Sequence, residues 1–212
     1  MNYLSPRLRF FRILVVALLA HACSSAPPRE DAYYDMAPPQ IAWRAAHTVD
    51  GVIQVAAFNA QSFARSRAIA FRDAKEPRQV QRYHYHYWAD APNAMLERLT
   101  IEVLRQSALS TFVVSSTQRS HVDWIVSGNL VSLEHLPYST PPQVRITLDF
   151  SVTATAGNQT IWSRSYSERE NAGDNSLESA IDAFERALTR LLTRFVRDLD
   201  GRLTTFADTT PG

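Results

Sequence analysis

The chain has 212 residues, 45% of them hydrophobic, and a single cysteine. Its formal net charge is +1, but three of the 22 basic residues precede Cys23, which leaves 19 basic against 21 acidic residues in the remainder. That balance, with no basic cluster interleaved with aromatic residues, argues against nucleic-acid binding. The length suits one globular domain, whose core no intrachain disulfide can reinforce.

The N-terminus is typical of an export signal. Residues 1–12 are basic and contain no carboxylate, residues 13–20 are apolar, and small residues lead to Cys23. The apolar run is about half the ~20 residues that a transmembrane helix needs. The Leu-Ala-x-Ala-Cys ending resembles a bacterial lipobox, although Ala20 stands where leucine is usual. We therefore predict a lipoprotein signal peptide over residues 1–22 and lipidation of Cys23. The alternative is an ordinary secreted protein with a free thiol, which is a liability in an oxidising compartment.

The segments that flank the central region are polar or rich in proline. Residues 23–50 include two Pro-Pro pairs before Gln40 and have little to bury, which predicts a lipidated N-terminus followed by a tether. Residues 204–212 are expected to form a polar tail. The folded domain is therefore predicted over residues 51–203.

The first half of this domain contains three predicted strands and one helix. The strands are Gly51–Phe58, which should be buried on both faces, then Ala68–Arg72, then Arg82–Trp88. In the third strand alternation places Tyr83, Tyr85 and Tyr87 on one face and His84, His86 and Trp88 on the other. A helix is predicted to begin at Pro92, capped by Asp90. Its apolar residues at helical spacing should face the sheet: Met95, Leu96, Leu99 and Val103.

The second half predicts more strands and a long amphipathic helix. The strands are Thr111–Ser115, Asp123–Leu136, Gln143–Thr155 and Thr160–Arg169, with a hairpin turn at residues 156–159. Alternation over residues 144–152 predicts one buried and one wet face. Asn175 and Glu178 suggest a capping box that opens the last helix, and Gly201 should end it. Its apolar stripe consists of Leu177, Ile181, Phe184, Leu188, Leu191, Phe195 and Leu199. The order of elements predicts a single α/β domain in which a mixed sheet packs against helices.

Few residues suggest chemistry. His84 and His86 at i, i+2 spacing could hold a metal, but we favour exposed strand residues and predict no metal and no cofactor. No nucleophile elbow, P-loop or zincin motif occurs, so we predict no catalytic residue. Candidate partner-binding residues are the aromatic side chains of Tyr85, Tyr87, Trp88 and Tyr138, with a core position as the alternative for Trp88. The stripe of the last helix could line a lipid groove, although packing against the sheet is favoured.

Several segments together resemble the ABC-type transport auxiliary lipoprotein family. They are Ala68–Arg72, Tyr87–Pro92, Leu109–Val114 and the strand Asp123–Leu130 with Leu133-Glu134, followed by the amphipathic helix. The likeness covers Gly51 to Leu203. It departs at His121-Val122, where a small residue is usual, and at Leu133, where an aromatic is common.

The resemblance implies a mixed-sheet domain akin to the anticodon-binding-domain topology. It also implies a non-enzymatic role in envelope lipid traffic, through contacts with an MCE-family protein and its ABC or permease components, and it raises homo-oligomerisation. Ser24, rather than aspartate, follows the cysteine, which in such lipoproteins suggests the periplasmic face of the outer membrane. The alternative function is a lipid-binding carrier with a cavity between sheet and helices.

Overall fold

The computed structural model describes residues 29–73, 75–118 and 120–209, without the side chains of residues 206–209. Cys23, the predicted signal peptide and the last three residues lie outside this part. From Asp31 onward the described residues form one compact unit, which confirms the predicted mixed α/β fold with a long C-terminal helix.

Nine strands and two α-helices follow one another along the described residues. In chain order they are β1 (Ala32–Tyr34), β2 (Val49–Val55), β3 (Asn59–Ala60), β4 (Ala68–Phe71), β5 (Gln81–Trp88), α1 (Pro92–Gln106), β6 (Ser110–Ser115), β7 (Trp124–Leu136), β8 (Gln143–Ala154), β9 (Gln159–Asn171) and α2 (Leu177–Thr209). Every predicted strand of the domain is present, with ends within three residues of those predicted, whereas the short strands β1 and β3 were missed.

The long strand β7 organises the sheet. Along one edge it pairs in parallel with β2, β3 and β4 in succession, and along the other it pairs antiparallel with β8 over nearly its whole length. β8 continues antiparallel into β9 through the predicted hairpin. β6 is added to β2, and β5 then β1 are added to β4. Since β7 is 13 residues long, it can pair with three short strands that follow one another along its edge.

Both helices pack on the same apolar face of the sheet and share one core with it. The predicted alternation in β8 is confirmed, because its residues from Val144 to Val152 are alternately buried and half-buried. The apolar stripes of both helices are also buried as predicted. β2 differs from the prediction: Ile53 and Val55 are buried, but Val52 and Gln54 are only partly covered. The reason is that no helix covers the second face of the sheet among the described residues.

Three predicted helix boundaries are wrong in detail. Ala91, not Asp90, is the N-cap of α1, and no side chain caps it. At α2 the cap is Ser176 rather than Asn175, because the Ser176 hydroxyl accepts a hydrogen bond from the Ser179 amide at 3.2 Å. Gly201 does not end α2, since the helix continues to Thr209. A glycine ends a helix when it adopts a left-handed conformation, and Gly201 does not.

Residues that precede the predicted domain are part of the folded unit. β1 pairs in parallel with β5, and Met36 is buried. The amide of Ala37 donates to Glu185 Oε1 at 2.7 Å, and the side chain of Gln106 donates to the Pro39 carbonyl at 3.0 Å. The folded unit therefore starts near residue 31. Residues 31–50, which were predicted as part of the tether, belong to this unit.

Arginines of α2 cover the outer edge of β9. The guanidinium groups of Arg186, Arg190 and Arg194 donate to the main-chain carbonyls of Asn171, Arg169 and Ser167 at 2.9, 3.3 and 3.3 Å. They also form ion pairs with Glu168 and Glu170. The four-residue spacing on the helix matches the two-residue spacing along a strand, about 6 Å against about 7 Å. We call this set the arginine ladder.

Candidate functional site

The strand with the candidate tyrosines is interrupted at Tyr85. Tyr85 has φ of 66°, and the pairing between β4 and β5 shifts between Ala68↔Tyr87 and Ala70↔Arg82. Two residues of β4 therefore span five of β5, so extra residues bulge outward. The predicted alternation is wrong here, because Tyr83 and His86 come together with ring centroids 6.0 Å apart. A left-handed non-glycine residue in a strand is uncommon and re-aims its neighbours.

On the face of the sheet that the helices leave uncovered, the bulge places aromatic rings beside arginines. Tyr33 and Tyr87, paired across β1 and β5, have centroids 5.8 Å apart. The Arg67 guanidinium lies 5.5 Å from the Tyr33 ring centre, and that of Arg82 lies 5.0 Å from the Phe63 ring centre. These distances are typical of cation–π contacts. With His84 these residues form what we call the aromatic–arginine surface: Tyr33, Phe63, Arg67, Arg82, His84 and Tyr87.

Four residues of this surface, Arg67, Arg82, His84 and Tyr87, line a shallow, positively charged hollow. Its volume is about 440 Å³, and no carboxylate lines it. Arg67 donates to the carbonyls of Trp88 and Ala89 at 3.1 and 2.7 Å, and Arg82 donates to the Ser66 hydroxyl at 3.5 Å. Neither arginine forms an ion pair within the described residues. The neighbouring carboxylate is that of Asp31, which accepts a hydrogen bond from the Tyr33 hydroxyl at 3.4 Å. The hollow suits an anionic group bordered by apolar atoms.

Two tyrosine–histidine pairs lie at the same end of the sheet. The Tyr83 hydroxyl is 2.9 Å from His135 Nδ1, and the Tyr34 hydroxyl is 3.0 Å from His86 Nδ1. Burial lowers the pKa of His135 to about 4 and raises the pKa of Tyr83. His135 is therefore neutral at pH 7. His84 is exposed and apart from the Tyr34–His86 pair, and no group of three or more potential metal ligands occurs in the described part.

An ion triad crosses the sheet at Glu134. Glu134 is buried and accepts hydrogen bonds from Arg72 at 2.9 and 3.1 Å and from Arg145 at 2.5 Å. Burial opposes the charged form, but the two guanidinium groups outweigh it and keep the pKa of Glu134 below its ordinary value. Arg72 directly follows β4, Glu134 lies on β7 and Arg145 lies on β8, so the triad ties three neighbouring segments of the sheet together.

The structure separates the predicted contact residues. Tyr85 and Tyr138 are 43% and 57% exposed, whereas Trp88 is 1% exposed and packs edge-on against Phe184 at 5.6 Å. Trp88 is thus a core residue, which was the alternative interpretation of this position, and it does not form part of the exposed surface. Tyr87 is half-buried against Tyr33. The sequence reasoning missed Tyr33, Phe63, Arg67 and Arg82, because they lie on separate segments that come together only in the folded chain.

The interface between the sheet and α2 is filled. Phe150 of β8 and Phe195 of α2 stack at 4.0 Å, and Trp162 and Tyr166 of β9 surround them. A groove of about 600 Å³ lies elsewhere, between residues 37–40 and the outer side of α2, and charged side chains contribute to its wall. In the part of the chain that the structure describes, no helix has the length and apolarity needed to cross a membrane.

The chain is similar to known proteins in sequence and in fold. The model of a family described as "ABC-type transport auxiliary lipoprotein component" matches residues 34–196. A crystal structure of a Xanthomonas campestris protein assigned to DUF330 is similar over 86% of this chain and 98% of its own, with TM-score 0.68 and 20% identity. Another crystal structure, of an uncharacterized protein, is similar over 81% and 99%, with TM-score 0.64 and 12% identity. Both likenesses show the fold alone. No protein with a curated description matches the sequence.

Proposed function

The chain belongs to the ABC-type transport auxiliary lipoprotein family, and we propose that it is the lipid-anchored periplasmic component of an MCE-type lipid transport system. The match over residues 34–196 supports this function, since it spans the sheet and most of α2. In this proposal the domain works through protein contacts with an MCE-family protein and its ABC or permease components, and performs no catalysis of its own.

The anchor is proposed at Cys23, on the periplasmic side of the outer membrane. The signal layout, the lipobox-like ending and Ser24 favour this position. Two or more acyl chains anchor stably where one does not. We expect Cys23→Ala to release the protein from the membrane fraction while its thermal unfolding stays unchanged. Mass spectrometry of the native N-terminus should find acyl groups on Cys23. An unmodified terminus, or a variant that stays with the outer membrane, would refute the anchor.

Protein contacts are proposed at Tyr85 and Tyr138, because large exposed aromatic side chains are enriched where proteins bind. The test is site-specific crosslinking from each position to the MCE-family protein encoded with this chain. We expect Tyr85→Ala and Tyr138→Ala to reduce co-purification of that protein. Phe112→Ala is the matched control, since Phe112 is 62% exposed on β6, at the opposite end of the strand order from β1. Equal loss with the control would argue against these contacts.

The alternative, a carrier with a lipid between sheet and helices, is less favoured because of the stacked aromatic core beneath α2. Phe150 and Phe195 occupy the position that an acyl chain would need. Extraction of lipid from the purified protein would revive the carrier. Homo-oligomerisation is a further expectation of the family resemblance, and sedimentation of the lipidated protein in detergent tests it.

A further inference from the structure

We propose that the aromatic–arginine surface lies against the anionic headgroups of the membrane to which the chain is anchored. The domain then has a defined orientation, with the uncovered face of its sheet toward the lipid and the helices away from it. This depends on the membrane anchoring proposed above, but it assigns a different partner to a different set of residues. Tyr85 adjoins this set, since its ring centroid lies 6.4 Å from that of His84.

Charge is the first observation. Arg67 and Arg82 line a hollow without a carboxylate, whereas the arginines of the ion triad and of the arginine ladder are paired with Glu134, Glu168 or Glu170. Phosphate oxygens of a headgroup accept hydrogen bonds from a guanidinium in the way a carboxylate does. Within the described residues no carboxylate forms an ion pair with Arg67 or Arg82. Both cations are therefore available to bind phosphodiester groups.

The aromatic residues are the second observation. Tyrosine is enriched at membrane–water interfaces, where the ring enters the headgroup region and the hydroxyl stays hydrated. Tyr33 is 58% exposed and Phe63 is 41% exposed, and each ring lies against a guanidinium of the same surface. Rings and cations in contact would enter the interface as one unit, with arginine stems covering apolar area.

The path of the chain is the third observation. β1 begins at Ala32, nine residues after Cys23, and β1 itself contributes Tyr33. Nine residues reach at most about 30 Å when fully extended. A lipid at Cys23 therefore holds this end of the sheet close to the bilayer. Such a short tether raises the effective concentration of headgroups at the surface, so weak individual contacts suffice.

The test uses the chain from residue 23 onward with Cys23→Ala, so that no acyl group contributes. Co-flotation is measured with vesicles of phosphatidylethanolamine and phosphatidylglycerol, and with vesicles of phosphatidylcholine alone. We expect binding to the anionic vesicles, weakened by salt. The double variant Arg67→Gln/Arg82→Gln should bind about 25-fold more weakly, since each arginine near an anionic surface contributes about five-fold.

Matched controls separate this surface from general charge and apolarity. Arg197→Gln/Arg202→Gln removes the same charge from exposed positions of α2, and should reduce binding less than two-fold. Tyr33→Ser should weaken binding, whereas Phe112→Ser should not. Circular dichroism of each variant verifies folding.

Three results would overturn the proposal. One is wild-type chain that does not float with anionic vesicles, and another is equal weakening by the α2 control. The third is a surface variant that still binds vesicles but no longer crosslinks to the MCE-family protein, which would make this a protein interface. None of these results bears on acylation of Cys23, which mass spectrometry reports separately.

Discussion

Glu134→Gln should strongly destabilise the domain, because it leaves two arginines without their carboxylate. The Glu134 side chain is 9% exposed, and its partners Arg72 and Arg145 are 19% and 26% exposed. Removing one member of a buried ion pair costs about 3–5 kcal/mol, because the remaining charge stays partly desolvated. Water reaches both guanidinium groups, so we expect about 3 kcal/mol. In a domain of this size that corresponds to a melting temperature lower by about 10 °C.

The assay is urea unfolding of the wild type and Glu134→Gln, with Arg98→Gln as the exposed control. Arg98 pairs with Asp35 at 3.0 Å, but both side chains are about half exposed, so its loss should cost under about 1 kcal/mol. Because the folded state lowers the pKa of Glu134, its stabilisation is complete above the carboxyl's ordinary pKa of 4.5 and is lost as the pH falls through the folded value. The two proteins should therefore converge in acid. A cost for Glu134→Gln no larger than that of the control would refute the reasoning.

Three further predictions test the core and the backbone. Phe195→Ala should cost about 3–5 kcal/mol in calorimetry through the cavity it leaves, whereas exposed Phe112→Ala should cost under about 0.5 kcal/mol. Gly128→Ala should destabilise by about 1–3 kcal/mol, because a Cβ there would lie 2.4 Å from a phenylalanine ring carbon; Gly201→Ala, with nothing within 4 Å, should stabilise α2 by about 0.5–1 kcal/mol. The lowered pKa of His135 means that the unfolded chain binds a proton between pH 6.5 and about 4 while the folded chain does not. As the pH falls through this window, the free energy of unfolding should thus decrease by about 1.4 kcal/mol per pH unit. His135→Gln should remove this slope in urea titrations.

Local periodicity was enough to predict most of the fold. Alternation in residues 144–152 and the helical spacing from Leu177 to Leu199 each identify one buried face without knowledge of the partner element. The family resemblance, confirmed over residues 34–196, joined these pieces into one topology. Features that depend on residues close together in the sequence were therefore predictable.

Features that depend on pairing between segments far apart in the sequence could not be predicted. Strand β1 has three residues near proline pairs and exists because β5, more than fifty residues later, provides its partner. Tyr85 belongs to a run of perfect alternation, and only the pairing of β5 with β4 reveals the bulge that breaks it. Consequently the sequence indicated Tyr87 as a contact residue but could not place Tyr33 or Arg67 beside it.

The arginine ladder has a consequence for a protein confined to a bilayer. An open strand edge offers hydrogen-bonding groups to any second chain, and crowding in two dimensions makes such encounters frequent. Along β9 the carbonyls of Ser167, Arg169 and Asn171 are already occupied by guanidinium groups. An incoming strand would have to displace these bonds together with the ion pairs to Glu168 and Glu170. The C-terminal helix thereby prevents accidental cross-β adhesion between neighbouring copies on this side of the molecule.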